Sequence, residues 1–371
     1  MTVGILKEPQ GENRVSLLPE QVETLTKKNI QVIIEDGAGA NAFSANEIYT
    51  AKGATVASRA DVLAKADLLL CINTTNLDGA KPNAIILGAY QPLSNIETIK
   101  TWAKNNISCF SLDMIPRTTR AQSMDVLSSQ ANIAGYRAVL IAATMLPHYF
   151  PMFMTAAGSI APAKVLILGA GVAGLQAIAT AKRLGAVIEV FDTRPAVKEE
   201  VMSLGAKFVE VEGAADASKA GGYAVEQTEE YKQKQQARIA EAVAKANVII
   251  TTAQIPGRTA PILITNEMLA SMKNGSVIID LAAATGGNTP QTKNNEVVVT
   301  SNGISILGNS NLPTGMPSDA SKLYGKNVLN FMQLILTKEG EINLNFEDDL
   351  VKGTCITHNG EITNERVKAV G

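Results

Sequence analysis

The chain has 371 residues, enough for two domains of ordinary size, and its net charge of −2 with 18% charged residues excludes a basic nucleic-acid or lipid-binding surface. Three scattered cysteines (Cys71, Cys109, Cys355) and two histidines (His148, His358) exclude a disulfide framework and a metal cluster, and read as reduced thiols of a cytosol-like compartment. The opening Met-Thr-Val-Gly-Ile-Leu-Lys-Glu runs straight into a strand pattern, so no signal peptide is expected.

Residues 3–6 read as a strand, 18–28 as a helix opened by Pro19 with Val22 and Leu25 on its apolar face, and 31–35 as a second strand. A Gly/Ala/Asn loop (37–44) leads to helical segments near 45–52 and 59–65. Strand-like runs at 68–72 and 84–87, a helix at 96–105 and a strand at 107–112 follow. The alternation predicts a doubly wound α/β unit without a G-x-G-x-x-G. Asn13-Arg14-Val15, just past the first strand, puts a cation where α/β sheets collect ligands, although a salt-bridged surface arginine explains it as simply.

From 113 to 132 the chain is polar, and residues 116–125 place two arginines, Gln122 and Asp125 between a strand and a helix. By residue type alone, a solvated loop with Ser123 or Asp125 capping the next helix is the favoured reading. A helix is predicted over 132–146. The apolar stretch 138–154 is interrupted by Pro147 and Pro151 and falls short of the roughly 18 residues a span requires, so it reads as a buried helix ending near Leu146. His148 reads as a packed or solvent-facing side chain rather than a catalyst.

The strongest signal lies at 165–192. Four apolar residues (165–168) form a strand, and Gly169, Gly171 and Gly174 follow in G-x-G-x-x-G spacing before a helix that opens at Val172 and ends at Gly185. In that pattern Gly169 makes the tight turn, Gly171 lets backbone N–H groups reach a pyrophosphate, and Gly174 lets helix pack on strand. The helix N-terminus would face the phosphates. A second run (187–191) delivers Asp192, 18 residues past the third glycine, where a carboxylate accepts from a ribose hydroxyl. An acid there favours NAD(H) over a 2′-phosphorylated nucleotide. Arg194 cuts the other way as a phosphate partner, or covers the adenine, and the acid is the better guide because it matches the fingerprint.

Beyond it come a helix at 197–204, a strand at 208–211 and a small-residue stretch at 213–223. The Gln/Lys/Glu-rich run 226–246 turns amphipathic only towards Ile239 and Val243, which reads as a long mobile excursion before a helix. Strands at 248–252, 277–281, 297–300 and 304–307 complete a parallel-type sheet, and Gln254 follows the first of them on the nucleotide edge. The last helix (318–336) returns to the first domain, and residues after Thr337 read as a surface tail. The expected fold is α/β: two doubly wound Rossmann-like domains joined by long helices with a cleft between them. The first spans 1–127 plus 318–371, and the NAD(H)-binding one spans 128–317 with a mobile loop near 213–235.

An oxidation or reduction of a hydroxy or amino acid moves a hydride and a proton and needs a placed acid or base. Hydride transfer between two nicotinamides needs only the rings in near-attack contact, about 3–3.5 Å between reacting atoms. The candidate strand ends carry no histidine and few lysines, and a site of Arg, Gln, Ser and Asp, without His or Cys, fits the second task better.

The run from Gly4-Ile-Leu-Lys-Glu to Arg14-Val-Ser-Leu-Leu-Pro19 resembles the N-terminal signature shared by alanine dehydrogenases and proton-translocating NAD(P) transhydrogenases. The run Gly169-Ala-Gly-Val-Ala-Gly174 onward to Ala186 resembles their second signature, closely in the transhydrogenase version, and Ile278-Ile-Asp-Leu-Ala and Gly286-Gly-Asn also match. The resemblance covers roughly residues 1 to 335. Alanine dehydrogenases carry lysines where this chain has Cys71 and Asn73, a catalytic histidine where it has Tyr90-Gln91-Pro92, and an aspartate where it has Ala284; only Arg14 remains. Ala284 also departs from the glutamate of many transhydrogenases.

The resemblance implies the separate NAD(H)-binding portion (domain I of the α subunit) of a split transhydrogenase. Arg117 and Asp125 would pair and shape the nicotinamide pocket, Gln122 would bridge towards the partner's nicotinamide, and Ser128 would hold the carboxamide. Gly221-Gly222-Tyr223-Ala224 resembles the loop that closes over bound NAD(H). The resemblance further implies a homodimer, NADP(H) held by a partner subunit, and membrane-spanning proton-conducting subunits. Those partners would keep this chain peripheral on the cytoplasmic face of the inner membrane. An NAD-dependent alanine dehydrogenase and an NAD-sensing binding module are the rival readings.

Overall fold

Short apolar runs without alternation form strands covered on both faces, and they build two sheets here. The computed structural model describes residues 1–211 and 228–370. It divides into unit 1, Met1–Gln130 with Pro313–Gly371, and unit 2, Ala131–Leu312.

The sheet of unit 1 runs, edge to edge, Glu361–Ile362, Cys355–His358, Ser108–Ser111, Ile85–Gly88, Leu68–Leu70, Thr2–Ile5, Gln31–Glu35 and Thr55–Ala57. The six strands that precede residue 115 pair in parallel, with Val3 beside Val32 on one side and Leu68 on the other. Thr55–Ala57 is a short edge strand without a sequence signal of its own. Helices Pro19–Thr26, Arg59–Lys65 and Ile96–Lys104 start where expected, the second on Ser58, whose hydroxyl accepts from Asp61 N–H.

The residues after Thr337 are not a surface tail. Asp348 caps helix Asp349–Thr354, accepting from Leu350 N–H at 2.8 Å, and the helix delivers Cys355–His358 antiparallel to Ser108–Ser111. Thr357 Oγ1 accepts from Cys109 N–H at 3.0 Å and donates to Ile107 O at 2.7 Å. Leu350, Val351, Cys355 and Ile356 are buried in the core of the unit.

The sheet of unit 2 runs Lys207–Phe208, Val187–Phe191, Lys164–Leu168, Val248–Thr251, Val277–Asp280, Ser305–Gly308 and Glu296–Val299. All pairs are parallel except the last, which corrects the expected all-parallel sheet. Thr300 N–H donates to Ile304 O at 2.9 Å across a tight turn with Gly303 at φ +75°, and so short a link cannot make a parallel crossover.

Helix Val126–Met145 starts ahead of residue 132 because Asp125 caps it. Ala138, Val139 and Ala142 are buried, so this apolar helix is a core element; among the described residues no helix is long and apolar enough to cross a membrane. An exposed hairpin, Phe153–Thr155 with Gly158–Ile160, follows it without a sequence signal. All three cysteines are free and buried.

Candidate nucleotide site

The turn after Lys164–Leu168 is shaped by contacts that only glycine allows. Gly169 sits at φ +108°, and a Cβ there would fall 2.2 Å from Thr252 Oγ1; a Cβ on Gly174 would fall 1.9 Å from Gly169 O. Thr252 Oγ1 also donates to Gly169 O at 3.2 Å, fastening the turn to the neighbouring strand's end. Gly171 differs. It is the N-cap of helix Val172–Arg183, its backbone is ordinary (φ −79°), and no atom lies within 4 Å of where its Cβ would stand. The missing side chain thus leaves an open cradle before a helix whose first N–H groups have no intrahelical acceptor. Val172, the first residue of that helix, is itself exposed. The cradle fits a pyrophosphate.

Asp192, at the end of Val187–Phe191, is buried and faces the same turn: its Oδ2 accepts from Ala170 N–H at 2.7 Å. Arg194 forks onto it, Nε to Oδ1 at 2.9 Å and Nη2 to Oδ2 at 2.7 Å, while Arg194 N–H donates to Oδ1 at 2.8 Å. The hydrogen bonds to Asp192 hold the Arg194 guanidinium above its ordinary pKa. Gln254 is exposed after Val248–Thr251, and its Nε2 donates to Leu281 O at 2.7 Å, tying two strand ends together. Gly222 and Tyr223 lie outside the described residues.

Sequence reasoning missed the roles of three residues here. Asp280 is buried and accepts from Ala282 N–H (2.9 Å), Asn288 N–H (2.6 Å) and Thr292 Oγ1 (2.7 Å). Asn288 in turn holds Ala253 O and Pro261 O through Nδ2 and accepts from Ala253 N–H at 3.2 Å. An acid at a strand end followed by Gly-Gly-Asn is the signal that could have found both. Gly135 lacks such a signal: a Cβ there would lie 2.0 Å from Ala173 O, so only glycine lets helix Val126–Met145 approach the start of the next helix this closely.

In unit 1, Arg117 and Gln122 are exposed and Asp125 is half-buried on the stretch before helix Val126–Met145; Gln122 lies in the short turn Thr119–Met124. Asp125 accepts from Ser128 N–H at 2.9 Å and from Ser128 Oγ at 2.6 Å, so the carboxylate that the resemblance pairs with Arg117 acts as the cap of that helix. Arg14 is not a surface arginine. It is buried, with Nε on Glu12 Oε1 at 2.8 Å, Nη2 on Glu12 Oε2 at 2.6 Å and Nη1 on Gln130 Oε1 at 2.8 Å. Glu8 beside it accepts from Ile72 N–H at 2.5 Å and Asn73 N–H at 3.1 Å, and burial raises its carboxyl to about 7. Burial likewise pushes the Cys71 thiol and the Tyr90 phenol well above their ordinary range.

Two mainly parallel α/β sheets, one ending in a glycine turn against a helix N-terminus with an acid on the next strand, define a Rossmann-like protein. The chain belongs to the alanine dehydrogenase/PNT family: the model of its N-terminal domain matches residues 4–134 and that of its C-terminal domain residues 138–365. It is 44% identical to the first portion of the divided NAD(P) transhydrogenase subunit alpha of Rhodospirillum rubrum over the full length of both chains. Among solved structures, a transhydrogenase from Sinorhizobium meliloti superposes with a TM-score of 0.89 at 43% identity, covering 98% of this chain and all of that one. An L-alanine dehydrogenase superposes with a TM-score of 0.82 at 23% identity, covering all of this chain and 99% of that one, a likeness of fold alone.

Proposed function

We propose that this chain is the NAD(H)-binding subunit of a proton-translocating NAD(P) transhydrogenase, exchanging hydride directly between NADH and NADP⁺ held by a partner subunit. Bound NADH would supply the hydride. The residues of this chain would bind and orient it: Gly171 and the helix opening at Val172 at the pyrophosphate, Asp192 at the ribose, with Arg194, Gln254, Gly222 and Tyr223 closing the site. Arg117, Gln122, Asp125 and Ser128 would shape the nicotinamide end. Membrane-spanning subunits would couple the exchange to proton movement, and the chain would work as a homodimer held at the cytoplasmic face of the membrane by them.

The observation that carries this reading over a dehydrogenase is the state of Arg14. An arginine free to grip a substrate carboxylate is what amino-acid chemistry requires, and here Glu12 and Gln130 take three of its nitrogens in a buried cluster. Of the neighbouring groups, burial keeps the Cys71 thiol and the Tyr90 phenol from ionising near neutral pH, and the Glu8 carboxyl is taken up by Ile72 N–H and Asn73 N–H.

The test is to mix the chain with an NADP(H)-binding transhydrogenase domain and follow NADH-dependent reduction of an NADP⁺ analogue. Activity should require both proteins, and Gln122→Asn should lose most of the rate while still binding NADH. Robust oxidation of alanine by the chain alone with NAD⁺ would overturn the proposal in favour of the dehydrogenase. An unchanged rate in Gln122→Asn would deny that residue its role.

A further inference from the structure

We propose that Asn327, on helix Pro317–Ile335, is a positioning residue for hydride transfer: its side-chain amide ties the turn that carries Gln122 to the helix start that carries Ser128. The inference rests on the reading of the nicotinamide end given above and goes beyond it by naming what holds those two groups in register.

Gln122 lies in the short 3₁₀ turn Thr119–Met124, and Ser128 in the first turn of helix Val126–Met145. A 3₁₀ turn has poorer hydrogen-bond geometry than an α-helix and holds itself weakly. Across the junction between turn and helix the backbone offers a long bond, Asp125 N–H to Gln122 O at 3.4 Å. Asn327 supplies two better ones. Its Nδ2 donates to the carbonyl of Ser123, next to Gln122, at 2.8 Å, and its Oδ1 accepts from the hydroxyl of Ser129, next to Ser128, at 2.7 Å. Asp125 accepts from Ser128 and so moves with the helix start. All of these residues belong to unit 1.

Two other side chains grip the same turn. Asn330 Nδ2 donates to Ser123 O at 2.9 Å, and Arg120 forks onto Asp348, Nη1 to Oδ2 at 2.8 Å and Nη2 to Oδ1 at 2.6 Å. The Arg120 side chain is 50% exposed, and an ion pair standing in water holds weakly. Asn327 is buried, on the helix face that also buries Tyr324 and Phe331. A polar amide there carries a desolvation cost that its two hydrogen bonds offset, whereas a leucine would fill the space with apolar atoms. Packing therefore does not call for an asparagine, and the two-way tie does. Rings held in near-attack contact tolerate little displacement, since a misplacement of about 1 Å can cost about a hundredfold in rate. Loss of the tie should fall on the rate within the bound complex, because the glycine cradle that holds the nucleotide lies in unit 2.

The experiment compares the wild-type chain with Asn327→Leu and Asn327→Asp, each mixed with an NADP(H)-binding transhydrogenase domain. Single-turnover hydride transfer to an NADP⁺ analogue is measured at saturating NADH, beside NADH titration, thermal unfolding, and backbone hydrogen exchange of the nucleotide-free chain. Asn327→Leu should lose about ten- to a hundredfold in transfer rate while its Kd for NADH stays within about threefold of wild type. Amides of residues 119–128 should exchange at least about threefold faster. Asn327→Asp keeps an acceptor for Ser129 but sets oxygen against oxygen at Ser123, so it should lose at least as much rate. A loss confined to thermal stability or NADH affinity, with the saturated rate within about threefold of wild type, overturns the proposal. So does unchanged exchange over 119–128. If Asn327→Leu does not fold, Asn327→Asp decides on the same terms. A wild-type pair that transfers no hydride overturns the nicotinamide reading and the proposal with it, whereas an active wild-type pair beside unaffected variants overturns the proposal alone.

Discussion

Gly171 and Gly174 stand three residues apart in one motif and are glycine for different physical reasons. A methyl at Gly171 meets nothing within 4 Å and its φ of −79° suits any residue, so Gly171→Ala should leave folding stability within about 0.5 kcal/mol of wild type. The same methyl fills the cradle, and NADH affinity should fall at least about tenfold. Gly174→Ala drives a Cβ to 1.9 Å from Gly169 O, backbone against backbone, and should cost on the order of 3 kcal/mol of stability. Thermal unfolding beside a fluorescence titration of NADH separates the two, and equal destabilisation in both variants would contradict this account. At Glu8 the sign of the pH dependence follows from burial. Its folded pKa of about 7 lies above its ordinary 4.5, so the folded chain holds a proton over that window that the unfolded chain releases. The contribution is fully present below 4.5, declines as pH rises to about 7 and is flat above it, with an upper bound of about 3 kcal/mol. Denaturant titrations from pH 5 to 8 should show that loss in the wild-type chain, and Glu8→Gln should flatten the slope.

At the scale of elements, legibility followed burial. Strands buried on both faces, such as Val248–Thr251 and Val277–Asp280, announce themselves as unbroken apolar runs, and the glycine turn with its helix is written in spacing. Asp192 and the glycine cradle of the candidate site were legible for the same reason. What was illegible depends on partners distant in sequence. Arg14 reads as a surface cation until Gln130 is seen to close on it beside its near neighbour Glu12, and no local pattern reports the Gln130 contact across so much chain. Cys355–His358 is short, contains a threonine and a histidine, and follows a polar stretch, so it looks like a tail, yet it completes the sheet by pairing with Ser108–Ser111. Its weight can be measured. Ile356 is fully buried among Ile86, Trp102 and Ile107, and Ile356→Ala should cost about 2–4 kcal/mol through lost burial and the cavity left behind. A denaturation midpoint equal to that of the wild-type chain would return the segment to the status of a tail.

For the whole molecule, the two sheets are alike in architecture and opposite in what their strand ends hold. In unit 2 the first strand ends in open backbone before a helix N-terminus. In unit 1 the chain beyond Thr2–Ile5 carries Glu8 and Glu12, which turn their carboxylates onto Asn73 Nδ2 at 3.1 and 3.3 Å and onto the ends of the neighbouring strand. A pyrophosphate approaching that end would meet acids in place of N–H groups, and Arg14, the cation that could offset them, is already held by Glu12. Two Rossmann-like sheets should therefore bind one dinucleotide per chain. Calorimetric titration with NADH should give a stoichiometry of one, and Gly171→Ala should weaken that single binding event at least about tenfold. NADH at about a hundred times its Kd should raise stability by about 2.7 kcal/mol, the value for a single site. A stoichiometry of two, or a binding event that keeps its wild-type affinity in Gly171→Ala, would mean that the acidic strand end of unit 1 also accepts a nucleotide.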